Sequence, residues 1–236
     1  MGRSKQVGDD GLKKAVCLCS GGLDSTVAAA VAKQNCQELH IFHVNYGQKA
    51  QAKELEAIGK IKGALGATDV VSVEIDFFRN LSALTSAKAI IPVGKEVKLD
   101  SKITPPTWVF CRNLVFVSLA AAFAEYLNAE RIYVGFNAEE GLSYPDNRPE
   151  FVDRFNSLLQ KAVASFSCPP QIDAPLVNMN KADIVRKGVE LMAPMHLSWS
   201  CYLNGKKHCG ECESCQHRRR GFKEAGVADP TEYALL

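Results

Sequence analysis

Lys14-Ala-Val-Cys-Leu-Cys19-Ser20-Gly21-Gly22-Leu23-Asp24-Ser25-Thr26 is the stretch on which the fold turns. Residues 14–19 form a short apolar run that suits a buried strand. Ser20-Gly21-Gly22 interrupts it, and an Ala-rich helical pattern follows from Ser25 through Lys33. Strand, glycine turn and helix in that order open a Rossmann-like unit. The glycines let backbone N–H groups approach an anion, and the helix presents its positive end to it. Ser20, Ser25 and Thr26 add hydroxyl donors, so the turn has the makings of a pyrophosphate cradle. It lacks the Lys of a Walker A loop, which argues against γ-phosphoryl transfer, and it lacks the dinucleotide fingerprint Gly-x-Gly-x-x-Gly. A helix cap at Asp24 or Ser25 needs fewer special residues than these.

Outward from this turn, strands and helices alternate. Glu38–Asn45 and Val70–Ile75 read as strands, and Gln48–Leu65 as an amphipathic helix between them. Asn113–Leu127 is a strongly apolar helix, Arg131–Gly135 a short strand, and Phe151–Ala164 and Lys181–Leu191 are helices separated by a Pro169-Pro170 and Pro175 loop. The expected fold is α/β: a parallel sheet with helices on both faces. Residues 1–194 form the main domain. The proline-bearing segment 76–109 breaks its rhythm as a lid-like insertion over the active face. Residues 195–236 form a small cysteine-bearing appendage.

With 236 residues, 28 Lys+Arg against 26 Asp+Glu and 47% hydrophobic content, the chain can bury a full core and is no general polyanion binder. Its longest apolar stretch, Leu114 to Ala124, is about half of a bilayer crossing, so no membrane role is expected. The polar start Met1–Asp10 lacks the apolar segment of a secretory signal, which implies a cytoplasmic protein. Nine cysteines then call for something other than disulfides. Cys17, Cys19, Cys36, Cys111 and Cys168 read as core filler. Cys201 with Cys209-x-x-Cys212-x-x-Cys215 supplies four thiolates that suit a closed, structural Zn²⁺ site, with an iron–sulfur cluster as the competing ligand. Gly205 and Gly210 allow the turns. His208 and His217 read as solvated neighbours, and His217-Arg218-Arg219-Arg220 as a solvated helix face.

Ser20-Gly21-Gly22-Leu23-Asp24-Ser25 resembles the loop of the ATP pyrophosphatases, which cleave ATP between the α and β phosphates and adenylate a carboxylate or carbonyl oxygen. Three further stretches narrow the likeness: Tyr46-Gly47-Gln48-Lys49 with Glu54, Cys111-Arg112-Asn113, and Tyr144-Pro145-Asp146-Asn147-Arg148. Together with Ser200-Cys201-Tyr202 and the terminal cysteines, they resemble the 7-cyano-7-deazaguanine synthase family from Lys14 to Asp229, with an adenine nucleotide alpha hydrolase-like fold. The resemblance implies that 7-carboxy-7-deazaguanine is adenylated, that ammonia displaces AMP, and that a second ATP-driven dehydration gives the nitrile. ATP, Mg²⁺ and a structural Zn²⁺ are the implied cofactors, and a homodimer needing no nucleic acid is the implied form. On this reading Leu18, Cys19, Ser20, Gly21, Gly22, Leu23, Asp24, Ser25, Thr26, Val27 and Ala28 bind the nucleotide. Ser20, Asp24, Arg112 and Lys181 act in catalysis. Tyr46, Glu54, Phe136, Tyr144, Asp146 and Arg148 meet the substrate: Phe136 and Tyr144 by stacking, Glu139, Glu140 and Asp146 as acceptors, Arg148 on the carboxylate.

Three positions depart from the pattern: Asn147 stands where the family has Cys, Ser143 and Cys111 where it has Gly. Two alternatives follow: a related enzyme that couples the deazaguanine acid to another amine, and an ATP-dependent tRNA thiolase, which needs a reactive Cys near the nucleotide.

Overall fold

The computed structural model describes residues 12–99, 101–164 and 169–234; Met1–Asp10 and Cys168 lie outside them. Five strands, β1 (Leu12–Leu18), β2 (Cys36–Asn45), β3 (Asp69–Glu74), β4 (Arg131–Tyr133) and β5 (Gln171–Asp173), form one parallel sheet in the order β3-β2-β1-β4-β5. Every pairing is parallel, so helices must cross between strands and cover both faces. Alternation along β1 and β2 divides the core. Ala15, Cys17, Leu39 and Ile41 face α1 (Leu23–Asn35) and α2 (Gln51–Leu65), whereas Val16, Phe42 and Val44 face α3 (Arg112–Leu127) and α4 (Pro149–Ala162). α5 (Lys181–Glu190) and α6 (Glu213–Ala225) pack on α1 through Val27, Ile184, Val185 and Phe222.

β1 has β2 on one side and β4 on the other. Consecutive crossovers diverge there, and in such sheets ligands bind at that point, beyond the carboxyl ends of the strands. The glycine turn leaves β1 at this place.

Two sequence expectations change. Gln171–Asp173, expected as loop between prolines, pairs with β4 from Arg131↔Gln171 to Tyr133↔Asp173. Segment 76–109 is docked on the rest of the fold: Phe78, Leu84, Ile91 and Val109 are buried, Gly94 N–H donates to the Glu211 carbonyl at 3.0 Å, and Val93 bridges to Cys212. Cys17 and Cys19 are core, but Cys111 is exposed and Cys36 half-buried, because both lie at element ends instead of inside a sheet or helix. No helix among the described residues is long and apolar enough to cross a membrane.

Candidate active site

The turn begins with Gly21 at φ +77°, a left-handed conformation that suits glycine. A Cβ there would stand 3.0 Å from the Glu54 carbonyl, so the turn lies directly against α2. Gly22 is the N-cap of α1 and makes no side-chain cap, so neither Asp24 nor Ser25 is spent on capping. Ser25 Oγ lies 3.2 Å from Ser20 Oγ and accepts from Ser20 N–H at 3.3 Å, which holds the two hydroxyls together at the strand end. Thr26 differs: it is fully buried and its hydroxyl donates to the Gly22 carbonyl at 2.7 Å. Val27 and Ala28 lie one turn deeper, packed toward α5.

Above the turn opens a cleft of about 220 Å³. Leu18, Cys19, Ser20, Gly22, Leu23, Asp24 and Ser25 line it from β1 and α1; Tyr46, Glu54, Arg112, Phe136, Tyr144 and Lys181 line it from elsewhere. Gly21, Thr26, Val27, Ala28, Asp146 and Arg148 do not reach it. Asp146 is buried beneath the rim, accepting from Asn113 N–H and Nδ2, each at 3.2 Å, and so fixes the start of α3. Arg148 is exposed and donates to the Gly141 carbonyl at 2.7 Å, tying its own loop.

Charge within the cleft is unevenly matched. The buried Lys181 ammonium contacts both Asp24 and, at 3.2 Å, Glu140. A capping box between Asn180 and Asp183 starts α5 and places Lys181 on its first turn. Burial works against the charged lysine, but the two carboxylates outweigh it and raise its pKa. Burial raises the Asp24 pKa, opposed by Lys181, and Asp24 Oδ1 is buried without a partner among the described residues. Arg112 is the opposite case. Its guanidinium donates to Tyr46 Oη at 3.2 Å and lies over the Tyr46 and Phe116 rings at 5.6 and 5.8 Å. No carboxylate among the described residues forms an ion pair with it. Lys181 is thus already neutralised twice over, whereas Arg112, like Lys49, which donates to the Ala89 carbonyl, lines the cleft with no ion pair among the described residues. Glu54 accepts from Gln48 Nε2 at 2.6 Å, and burial pushes it up to about 7.

Glu139, expected as a substrate acceptor, is saturated internally. It accepts from Lys181 N–H at 2.8 Å, Arg220 at 2.7 Å and His217 Nδ1 at 2.8 Å, and these donors overcome burial and hold it down at about 2. His217 is accordingly not a solvated neighbour. Nor is His208, which is buried and accepts from Ser200 N–H at 3.0 Å. Arg218 is 1% exposed, the largest fully buried side chain, and donates to Ser198 Oγ, Ser200 Oγ, the Met195 carbonyl and Asp229. The reason is helical spacing: Cys215, Arg218 and Phe222 share the inner face of α6. A Cβ on Gly221 would meet Lys181 Cβ at 2.7 Å, so α6 crosses α5 at close range beside the cleft.

Sequence reasoning passed over Trp108, which lines the cleft and stacks on Tyr144 at 5.3 Å and 12°, and His43, which lines it from β2. A Trp two residues after the Pro105-Pro106 bend is the available signal for the first. The second has none in a continuous apolar strand.

The four sulfurs of Cys201, Cys209, Cys212 and Cys215 lie within 4.8 Å of one another, with Cys209 and Cys215 at 3.9 Å. A tetrahedron of thiolates around zinc has edges of about 3.8 Å. Cys201 Sγ accepts from Leu203 and Cys209 N–H at 3.4 Å, and Cys209 Sγ from Cys212 N–H at 3.3 Å, as thiolate ligands do. The residues present fit a metal.

The profile of the family described as queuosine biosynthesis protein QueC matches residues 14–226. A protein of Methanothrix thermoacetophila named 7-cyano-7-deazaguanine synthase is 65% identical over 220 residues, covering 93% of this chain and 98% of its own. One of Methanococcus aeolicus with the same name is 41% identical, covering 94% and 100%. Among solved structures, the U34-tRNA thiolase NcsA of Methanococcus maripaludis, described with its [4Fe-4S] cluster, superposes with a TM-score of 0.51 at 16% identity, over 94% of this chain and 70% of that one. That likeness speaks to the fold alone.

Proposed function

This chain belongs to the queuosine biosynthesis protein QueC family, and we propose that it converts 7-carboxy-7-deazaguanine and ammonia to 7-cyano-7-deazaguanine as an ATP-dependent carbon–nitrogen ligase. One observation carries the reading. The glycine turn, Tyr46, Glu54, Arg112, Tyr144 and Lys181, scattered over 162 positions from Ser20 to Lys181, converge on a single cleft at the switch point of the sheet.

A carboxylate is a poor electrophile at neutral pH and needs a leaving group. Its oxygen attacks the α-phosphorus of ATP, forming a mixed anhydride and releasing pyrophosphate. The N–H groups at the start of α1 and the Ser20 hydroxyl face the departing charge. Asp24, with an unpartnered buried oxygen, is the residue to hold Mg²⁺, which supplies charge neutralisation on the phosphates. Arg112 takes the substrate carboxylate, and the Trp108–Tyr144 stack offers a flat face to the base. Ammonia then adds at the acyl carbon, AMP leaves and a proton is lost, giving the amide. Adenylation of the amide oxygen by a second ATP, with loss of AMP and the two remaining N–H protons, gives the nitrile. Cys201, Cys209, Cys212 and Cys215 hold Zn²⁺ as a structural ion, since four thiolates leave no open position.

Sulfur transfer is disfavoured by the thiols themselves. Cys19 lines the cleft but burial raises its pKa, so it is no ready nucleophile, and Cys201 belongs to the metal cluster. Asn147 is buried and lines the cleft where the family pattern has Cys, which keeps a different amine as the alternative nucleophile. Mass spectrometry of the product from the acid, ATP and ammonium tests this: nitrile at the expected mass supports it. Acylation of another amine with no amide or nitrile from ammonium overturns it. Carboxylate-dependent exchange of labelled pyrophosphate into ATP checks the first step, and ADP with phosphate as first products would refute it.

A further inference from the structure

Beside the cleft lies a second cavity, of about 190 Å³. Thr107, Glu140, Tyr144, Lys181, Tyr202 and Ser214 line both, so the two hollows meet across one shared wall. The glycine turn borders only the first. A ligase that joins two substrates needs two seats opening on a common point, and a nucleotide on the glycine turn takes only one of these.

The second cavity suits a flat ligand with donors on one edge. The inserted segment gives it an apolar side through Val97, Ile103, Pro105 and Pro106, and Tyr144 presents a ring already braced against Trp108. Four carboxylates line it: Glu96, Glu139, Glu140 and Glu213. Three are accounted for. Glu139 is held by Lys181 N–H, His217 and Arg220, Glu140 pairs with Lys181, and Glu96 is exposed to solvent. Glu213 differs. Half-buried on the first turn of α6, it has no ion pair among the described residues and accepts only from two hydroxyls, Thr107 Oγ1 at 3.3 Å and Tyr202 Oη at 3.4 Å. Both bonds fall on Oε2. One oxygen therefore orients the carboxylate, while Oε1 accepts from no group among the described residues. Tyr144 relates this acceptor to Arg112. Burial raises the Tyr144 pKa, Glu213 adds to the rise and Arg112 opposes it, so anion and cation both act on this one phenol. Glu213 lines the second cavity and not the cleft, and Arg112 lines the cleft and not the second cavity. A planar ligand lying on Tyr144 thus meets an acceptor toward one hollow and a cation toward the other.

We infer that the second cavity seats the heterocycle of the deazaguanine acid and that Glu213 is its specificity-determining residue: the carboxylate accepts from the ring N1–H and the exocyclic 2-amino group, while the acid group across the ring reaches the cleft. This rests on the reading that such an acid is the substrate. The two N–H donors of a guanine-type edge are parallel and match the two oxygens of a carboxylate, the same fork that a guanidinium presents. A ring without the 2-amino group leaves one of those oxygens unpaired in a partly desolvated site, which a polar pocket penalises strongly.

Isothermal titration calorimetry of the full chain with 7-carboxy-7-deazaguanine, its 2-deamino analogue and unsubstituted 7-deazaguanine tests it. The unmodified chain should bind the 2-deamino acid roughly thirtyfold more weakly than the parent acid. Unsubstituted 7-deazaguanine should still bind, weakened by loss of the acid group. Glu213→Gln turns one acceptor into a donor; it should bring the ratio down to about threefold and raise KM for the acid while KM for ATP stays the same. Thr107→Val lies outside the cysteine cluster and removes a hydroxyl that orients Oε2. It should cut the ratio by about threefold, and it decides the matter if Glu213→Gln loses its metal. Equal binding of the two acids by the unmodified chain, or an unchanged ratio in a variant that keeps its metal and fold, overturns the inference. So does a Glu213→Gln chain in which KM rises for ammonium alone, since the carboxylate would then serve the nucleophile. Acid-dependent pyrophosphate exchange keeps the two readings apart. Exchange without discrimination at the 2-amino group leaves the reaction and removes Glu213, and discrimination without exchange does the reverse. If neither the acid nor 7-deazaguanine binds, both fall.

Discussion

Two regions of this molecule bury polar groups, and they treat them in opposite ways. In the appendage every one is answered. Arg218 gives its donors to Ser198, Ser200, Met195 and Asp229, His217 and Arg220 reach across to Glu139 of the main domain, and the thiolates accept backbone N–H groups. Around the glycine turn, by contrast, Asp24 Oδ1 and His43 Nε2 are unpaired among the described residues, and Arg112 donates to Tyr46 and Asn113 with no ion pair among them. Leaving a buried acceptor unmatched costs about 1–3 kcal/mol each. A saturated network fixes shape. An unsaturated one stores a preference for a ligand, and the contrast separates the structural half of this protein from the reactive half.

The largest effect should come from the saturated side. Cys212 is fully buried and bridges to Val93, so it joins the metal cluster to the inserted segment. Cys212→Ser should lose the metal and several kcal/mol of stability, comparable with the whole stability of an ordinary domain. Elemental analysis and thermal unfolding read both. Zinc at one per chain in the unmodified protein is the expectation; iron with labile sulfide would reassign the site, and an unchanged Tm in a metal-free variant would contradict the structural role.

On the unsaturated side, Asp24→Ala should reduce pyrophosphate exchange by about 10³-fold, equivalent to about 4 kcal/mol of transition-state stabilisation, while the fold persists. The fold persists because Lys181 keeps Glu140 as its counter-charge. Exchange assays and circular dichroism together decide the matter. A variant that unfolds would place Asp24 with the appendage residues, as part of the frame.

How far each half could be foreseen follows the same division. The glycine turn is legible because its chemistry is local: Gly21, Asp24 and Ser25 act within one turn of chain. The metal cluster is legible because three of its ligands are spaced by two residues. Asp146 and Arg148 share a motif with Tyr144 and Asn147, yet only the latter two face the cleft: the short helical turn at Pro145–Asn147 sets Asp146 beneath the rim on Asn113 and Arg148 back onto its own loop. β5 escaped notice because three residues between prolines carry no periodicity. Arg218 escaped because a run of three arginines looks solvated until the inner face marked by Cys215 and Phe222 is counted. Saturation itself is a property of distant pairs, such as Glu139 with Arg220 and His217, and no window of sequence contains it.

Glu54 offers a smaller test of the unsaturated side. In an unfolded chain it titrates near 4.5, and burial in the fold pushes it up to about 7. Between those values the folded state holds a proton that the unfolded state has released. The folded chain therefore loses stability as pH rises through that window, by on the order of 2 kcal/mol. Glu54→Gln, which stays neutral and can still bond Gln48, should flatten this part of the pH–stability curve. Thermal unfolding from pH 5 to pH 7.5 shows whether it does; parallel curves for the two proteins would mean that the carboxylate is better solvated than its surroundings indicate.

The smallest effect lies between the two halves, at a residue whose backbone departs from what its side chain prefers. Cys111 caps α3 at φ 51° and ψ 25°, a left-handed conformation, just before Arg112. Its thiol is exposed and makes no cap bond, so nothing about the side chain repays the strain. Left-handed backbone costs an L-residue with a Cβ about 1 kcal/mol, and glycine nothing comparable. Against this, glycine loosens the unfolded chain, which returns part of the gain. Cys111→Gly should thus stabilise the protein by roughly 0.5 kcal/mol, a rise in Tm of about 1–2 °C. Cys111→Ala, which removes the thiol but keeps the Cβ, should give no such rise. If alanine stabilises as much as glycine, the thiol rather than the backbone is at fault. If glycine destabilises, the left-handed turn is held by contacts that a freer chain lets go, and the start of α3, with Arg112 on it, belongs to the rigid frame that the saturated half provides.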